Sequence, residues 1–226
     1  MSRTTTPVVV LFDVDETLVH TGGSGARSWK AAFEEIYQVP ADIGDHSSAG
    51  ETDPQVARAT FNAVIGRDPS DVELSVLYAH YLRYLADDIL VSEGYRMLPG
   101  VHQCLAALGD AGVLLGLVSG AMEGAARTKL IPADLNRFFV FGAYGSDSPD
   151  RTELTTLGIE KASRLHAGLT PAQVLVVGDT PHDIAATHGA GAVSVGVATG
   201  HFSVGELNRA GADYVLGSLE EPFPGV

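Results

Sequence analysis

Four aspartates in two short stretches carry the chemistry that this sequence offers. "VVVLFDVDETLVH", residues 8–20, is an apolar run that breaks into three acids within four residues, Asp13, Asp15 and Glu16. "VLVVGDTPHD", residues 174–183, repeats the arrangement, with Asp179 directly after an apolar run and Asp183 four residues later. Carboxylates crowded at the end of a buried strand repel one another unless the turn is solvated or a positive charge lies among them. A hard cation such as Mg²⁺ is held by a few carboxylate oxygens, with water and substrate phosphate completing its shell. Taken singly, each cluster reads equally well as an Asp capping the helix or turn that follows a strand. Its recurrence after a second apolar strand favours a metal site between Asp13 and Asp179.

Such a site needs a frame that brings positions 13 and 179 together. Short Val-rich runs without strict alternation occur at 8–12, 113–118, 137–142, 174–178, 192–198 and 212–216. They suit parallel strands covered on both faces. Helical patterns separate most of them: "PGVHQCLAALGDAG", "DRTELTTLGIEKASRLHAG" continuing to Gly168, and "PHDIAATHGAG". Strand alternating with helix predicts an α/β fold, a doubly wound, mainly parallel Rossmann-like sheet. Ligands bind such sheets at the carboxyl ends of the strands, where Asp13 and Asp179 lie. Between Thr21 and Leu98 the alternation stops and only helical patterns remain, with Trp29, Phe33, Ile36 and Tyr37 on one helix face. The expected organisation is a core of residues 1–20 and 96–226 with a compact helical segment inserted at 21–95.

The 28 acids outnumber the 14 Lys and Arg, for a formal net charge of -14. No basic block offsets that charge, so nucleic acid is a poor partner. The polar start "MSRTTTP" and the short apolar run after it fit neither a signal peptide nor a spanning helix, and a cytoplasmic location without membrane association is the default expectation. The single cysteine, Cys104, sits in a helical pattern and reads as a buried structural thiol. The scattered histidines, His80, His102 and His166 among them, are not read as metal ligands.

"DVDET" resembles the first motif of the haloacid dehalogenase-like phosphohydrolases. "LGLVSGA", ending a strand at Ser119, resembles the second motif, and "VVGDTPHD" the fourth. The order is kept, the helical insert falls where that family carries its cap, and the resemblance spans nearly the whole chain. It implies a phosphatase acting on a small phosphomonoester through an aspartyl-phosphate, with Asp13 as nucleophile and Asp15 as general acid and base. It further implies Mg²⁺ held by Asp13, the Asp15 carbonyl and Asp179, with Asp183 behind these ligands or reaching the ion through water. Ser119 and the Gly120 amide would bind phosphoryl oxygens, although a Ser-Gly pair alone equally starts a helix. Thr17 would steady the turn.

The third motif departs from the family, which places a Lys, often followed by Pro, after the third strand. "GAYGSDSPDRTEL" has none. Arg151 takes that position, and Arg can grip phosphate with two parallel bonds. Lys161, ten residues on, is expected on a solvated helix face. In the insert, Gly50 and Thr52 are expected in a substrate-facing loop, with Asp53 capping the next helix. A phosphomutase resembling β-phosphoglucomutase is the alternative, weakened because "TGGSGARSW" lacks the His expected at the entrance to the cap. A dehalogenase is disfavoured by the full acid set. A non-catalytic phosphate-binding module remains the reading from another class. Oligomeric state and the leaving group are not legible.

Overall fold

A computed structural model describes residues 7–45 and 50–226. Six strands, β1 (Val9–Phe12), β4 (Leu114–Ser119), β5 (Phe141–Tyr144), β6 (Val174–Gly178), β7 (Val193–Val197) and β8 (Tyr214–Leu216), form one sheet. Their order is β5-β4-β1-β6-β7-β8, and every pairing is parallel. Helices α4 (Val101–Asp110), α5 (Glu123–Leu130), α6 (Arg151–Leu165), α7 (Pro181–Gly189) and α8 (Val204–Arg209) connect the strands. Parallel neighbours require such crossovers. Residues of β1 alternate between two apolar layers. Val10 and Phe12 join Leu105, Leu117 and Val177 on one face, and Val9 and Leu11 join Leu154, Ala162 and Val174 on the other. A strand buried on both faces has no polar alternation to display, which explains the continuous apolar run.

The register sets the site. Phe12 pairs with Leu117 on one side and with Val177 on the other. Asp13 therefore leaves β1 close to where Ser119 ends β4 and Asp179 follows β6.

Between β1 and β4 stand α1 (Ser24–Tyr37), α2 (Asp53–Ile65) and α3 (Asp71–Val91). Trp29 of α1 stacks on Tyr81 of α3 at 4.0 Å between ring centroids, and Phe33, Phe61, Leu77 and Leu85 are fully buried in the same apolar layer as Phe12. Two elements in this interval differ from expectation. β2 (Val19–Thr21) and β3 (Tyr95–Met97) pair antiparallel, with His20 opposite Arg96. Three residues are too few for a periodic pattern to register. Beside this ribbon Gly22 has a φ of +62°, and a Cβ there would lie 2.7 Å from the Cα of Gly94. Two backbones meet with room for no side chain. The strand expected at 137–142 instead begins at Phe141, because Asn136–Phe138 forms a 3₁₀ turn. Phe139 leaves that turn to pack edge-on against Phe12. Apolarity alone could not separate a core-filling turn from a strand. α6 ends at Leu165 rather than reaching Gly168, since His166 is extended. Cys104 is buried as expected, and burial pushes its thiol up to about 12. No helix among the described residues is long and apolar enough to cross a membrane.

Candidate active site

The carboxyl ends of β1, β4 and β6 open into a cavity of about 200 Å³. Asp13 is 7% exposed, and its amide donates to the carbonyl of Val177 at 2.9 Å. Asp179 is 4% exposed, with Gly200 packed so closely that a Cβ there would meet the Asp179 carboxylate at 1.9 Å. Asp183 sits in the first turn of α7, where its Oδ2 accepts the Thr180 amide at 3.0 Å and hydroxyl at 2.7 Å. Its other oxygen accepts from Arg151. Asp13, Asp179 and Asp183 each offer an oxygen, and the three lie within 4.8 Å of one another.

Three buried acids so close are electrostatically unfavourable. Burial pushes Asp13 up to about 7 from 3.8, opposed by the Arg151 guanidinium and reinforced by Asp183 and Asp15. Burial, Asp183, Asp13 and Glu16 push Asp179 up to about 9. Asp13 Oδ1 is buried without a hydrogen-bond partner among the described residues. Buried polar atoms are otherwise almost always partnered. An orphaned carboxylate oxygen among hard oxygen donors fits a metal ion, which would supply the missing positive charge.

Arg151 opens α6, whose N-terminus is capped by Asp150 through the amides of Thr152 and Glu153. Its guanidinium is largely enclosed, bonded to Asp183, and 3.7 Å from Asp13. Lys161 lies further along α6 and reaches the Gly142 carbonyl at 2.7 Å and Asp147 at 3.2 Å. It ties α6 to β5 rather than standing on a solvated face.

Ser119 is 1% exposed, and its Oγ accepts the Ala121 amide at 3.3 Å. At Gly120 a Cβ would come within 2.7 Å of the Glu51 carbonyl and 2.8 Å of Arg151 Nη1, so only glycine lets the insert and the arginine converge there. Thr17 is fully buried, but its hydroxyl has no partner among the described residues. Backbone bonds from Leu18 and Val19 to the Val14 carbonyl hold the turn.

The insert loop divides. Gly50 lines the cavity at φ +91°, packed against His182. Thr52 does not face it. That residue is fully buried as the N-cap of α2, paired with Gln55. Asp53 is consequently not the cap. Its amide donates to the Gly120 carbonyl and its carboxylate accepts the Met122 amide, both at 2.8 Å. Burial pushes Asp53 up to about 6 against the pull of Lys129.

Lys129 escaped the sequence reading. It is 6% exposed, and its Nζ donates to Asp15 Oδ2 at 2.6 Å. Burial disfavours its charge, but Asp15, Tyr81 and Asp53 hold the ammonium above the ordinary lysine range. The available signal was its place beside Ala125, Ala126 and Leu130 on the apolar side of α5. Glu16, Thr180 and His201 also line the cavity.

Residues 8–191 match the haloacid dehalogenase-like hydrolase family. A phosphoglycolate phosphatase of Salmonella typhi is 32% identical over 172 residues, covering 74% of this chain and 67% of the relative. The phosphoglycolate phosphatase of Escherichia coli O157:H7 is 27% identical over 173 residues, with the same coverage. Among solved structures, CbbY from Rhodobacter sphaeroides in complex with phosphate superimposes with a TM-score of 0.75 at 19% identity, covering 96% of each chain. A hydrolase from Pseudomonas syringae gives 0.71 at 21% identity, covering 94% of each.

Proposed function

Because the chain belongs to the haloacid dehalogenase-like hydrolases, we propose that this phosphatase is Mg²⁺-dependent and cleaves a small phosphomonoester through an aspartyl-phosphate on Asp13. One observation carries the reading: Asp13 Oδ1 is buried and has no hydrogen-bond partner among the described residues, beside two further acids and a guanidinium. Mg²⁺ bound by Asp13, Asp179 and the Asp15 carbonyl would offset charge on the phosphoryl oxygens, which lets one anion approach another.

The chain's own groups perform the remaining tasks. Arg151, the Ser119 hydroxyl and the Gly120 amide hold the phosphoryl group for in-line attack. A carboxylate oxygen of Asp13 bonds to phosphorus as the ester P–O bond breaks, and Asp15 gives its proton to the departing alkoxide. In the second half Asp15 takes a proton from water, the water oxygen bonds to phosphorus, and the Asp13–phosphorus bond breaks to release phosphate. Asp183 orients Arg151 and accepts the amide of Thr180, the N-cap of α7. Residues 21–95 act as a cap over the site, touching it through Gly50, Glu51 and Asp53. The names of the relatives make phosphoglycolate the first substrate to try.

Phosphate release from a panel of metabolite phosphates and p-nitrophenyl phosphate, with Mg²⁺ and with chelator, tests the reading. Turnover that persists in chelator, or in Asp13→Asn, would refute it.

A further inference from the structure

We propose that Lys129 is a positioning residue that aims the Asp15 carboxylate at the leaving-group oxygen. The inference rests on the phosphatase reading above and concerns only its proton-transfer step. Lys129 has 7% of its side chain exposed, whereas Asp15, its partner at 2.6 Å, has 41% exposed and lines the cavity. A carboxylate that reaches water needs no buried lysine for its own solvation, and exposed ion pairs are worth little. Burying an ammonium, in contrast, is unfavourable until its partners compensate. The chain thus desolvates a cation to hold an anion that would otherwise rotate freely. Only Oδ2 of Asp15 is engaged, and among the described residues Oδ1 receives no hydrogen bond, so Oδ1 is left to carry the proton that moves.

The lysine is itself anchored. Its backbone carbonyl accepts the hydroxyl of Tyr95, in the ribbon at the root of the insert, at 2.9 Å. Its ammonium lies near Asp53, whose carboxylate grips the Met122 amide at the start of α5. Both contacts come from the segment between β1 and β4, so the seating of the insert and the aim of Asp15 depend on the same helix. Two cations divide the site: Arg151 serves the side of Asp13 and Asp183, and the buried Lys129 serves Asp15.

The test is a leaving-group comparison on Lys129→Met. A proton is needed when an alkoxide departs and hardly at all when dinitrophenolate departs. Wild type and variant are assayed with Mg²⁺ on dinitrophenyl phosphate and on the alkyl phosphate that wild type turns over fastest. kcat/KM is read because it reports the first chemical step and not the later attack by water. The alkyl value should fall roughly ten- to a hundredfold, the size of one charge-assisted hydrogen bond, while the dinitrophenyl value falls by less than about threefold. Asp15→Ala should show the same skew, more strongly. An equal loss on both substrates would mean that Lys129 only supports the fold, and an unchanged or raised alkyl value would mean that it does not aim Asp15. Either result overturns the proposal. Wild type inactive on both substrates overturns the phosphatase reading and this inference with it. Active wild type without the skew overturns the inference alone. If Lys129→Met fails to fold because Asp53 has lost its cation, Lys129→Met combined with Asp53→Asn removes the stranded charge, and the same ratio is measured against Asp53→Asn.

Discussion

Replacing Arg151 by alanine should damage the protein in two separable ways. The guanidinium is 12% exposed, bonded to Asp183 and 3.7 Å from Asp13, so the variant leaves two buried carboxylates without their cation. Breaking one side of a buried pair costs about 3–5 kcal/mol. Asp13 is already pushed up to about 7 and can take a proton, which blunts the cost, so about 3 kcal/mol is the expected loss in metal-free protein. For a chain of 226 residues that corresponds to a Tm lower by roughly 6–12 °C. Saturating Mg²⁺ should narrow the gap, because it returns positive charge to the same carboxylates. Activity should fall about ten- to a hundredfold in kcat/KM, even at saturating Mg²⁺, from loss of the bonds that hold the phosphoryl group. Arg151→Lys should recover part of it, since a point charge cannot reproduce the planar fork. Lys161→Ala should change kcat/KM by less than about twofold, as its contacts are with Gly142 and Asp147, neither of which lines the cavity. Scanning calorimetry with and without Mg²⁺, paired with steady-state kinetics, measures both effects. Near-normal kinetics in Arg151→Ala together with a crippled Lys161→Ala would refute the reasoning.

Asp13→Asn should abolish turnover while leaving circular dichroism unchanged; more than a small residue of wild-type activity would exclude attack by this residue. Metal-free protein should lose stability as pH rises. Asp179 is pushed up to about 9 and Asp13 to about 7, so between about pH 4 and pH 9 the folded state holds protons that the unfolded chain has released. The Tm in chelator should therefore fall from pH 6 toward about pH 9, and Mg²⁺ should flatten the curve by displacing those protons; a flat or rising profile in chelator would contradict the crowding of the acids. Gly120→Ala should lower kcat/KM at least tenfold, because its Cβ would strike the Glu51 carbonyl at 2.7 Å and Arg151 at 2.8 Å; a variant with normal KM and kcat would show that this convergence is not needed.

The local pattern of the chain determined a good deal. Apolar runs ending in Asp13 and Asp179 announce strands whose carboxyl ends face a ligand, because a buried parallel strand must be apolar on both faces and can turn polar only where it emerges. Ser119 and Arg151 were marked out by motif order, and the helical interval by the loss of alternation. Other features depend on partners far along the chain. Asp53 looks like a helix cap from its neighbours, yet Thr52 holds that place and Asp53 reaches across to Met122, 69 residues away. Thr52, polar and two residues from a glycine, resembles a ligand-facing residue, yet it is fully buried as the N-cap of α2. The ribbon of Val19–Thr21 with Tyr95–Met97 exists only because two short segments meet at the base of the insert. Lys129 is separated from Asp15 by 114 residues, and no periodicity links them. Helix and strand periods report which face of an element is apolar. They carry no information about which distant charge that face will meet, and for a buried lysine the distant charge decides whether it is a defect or part of the site.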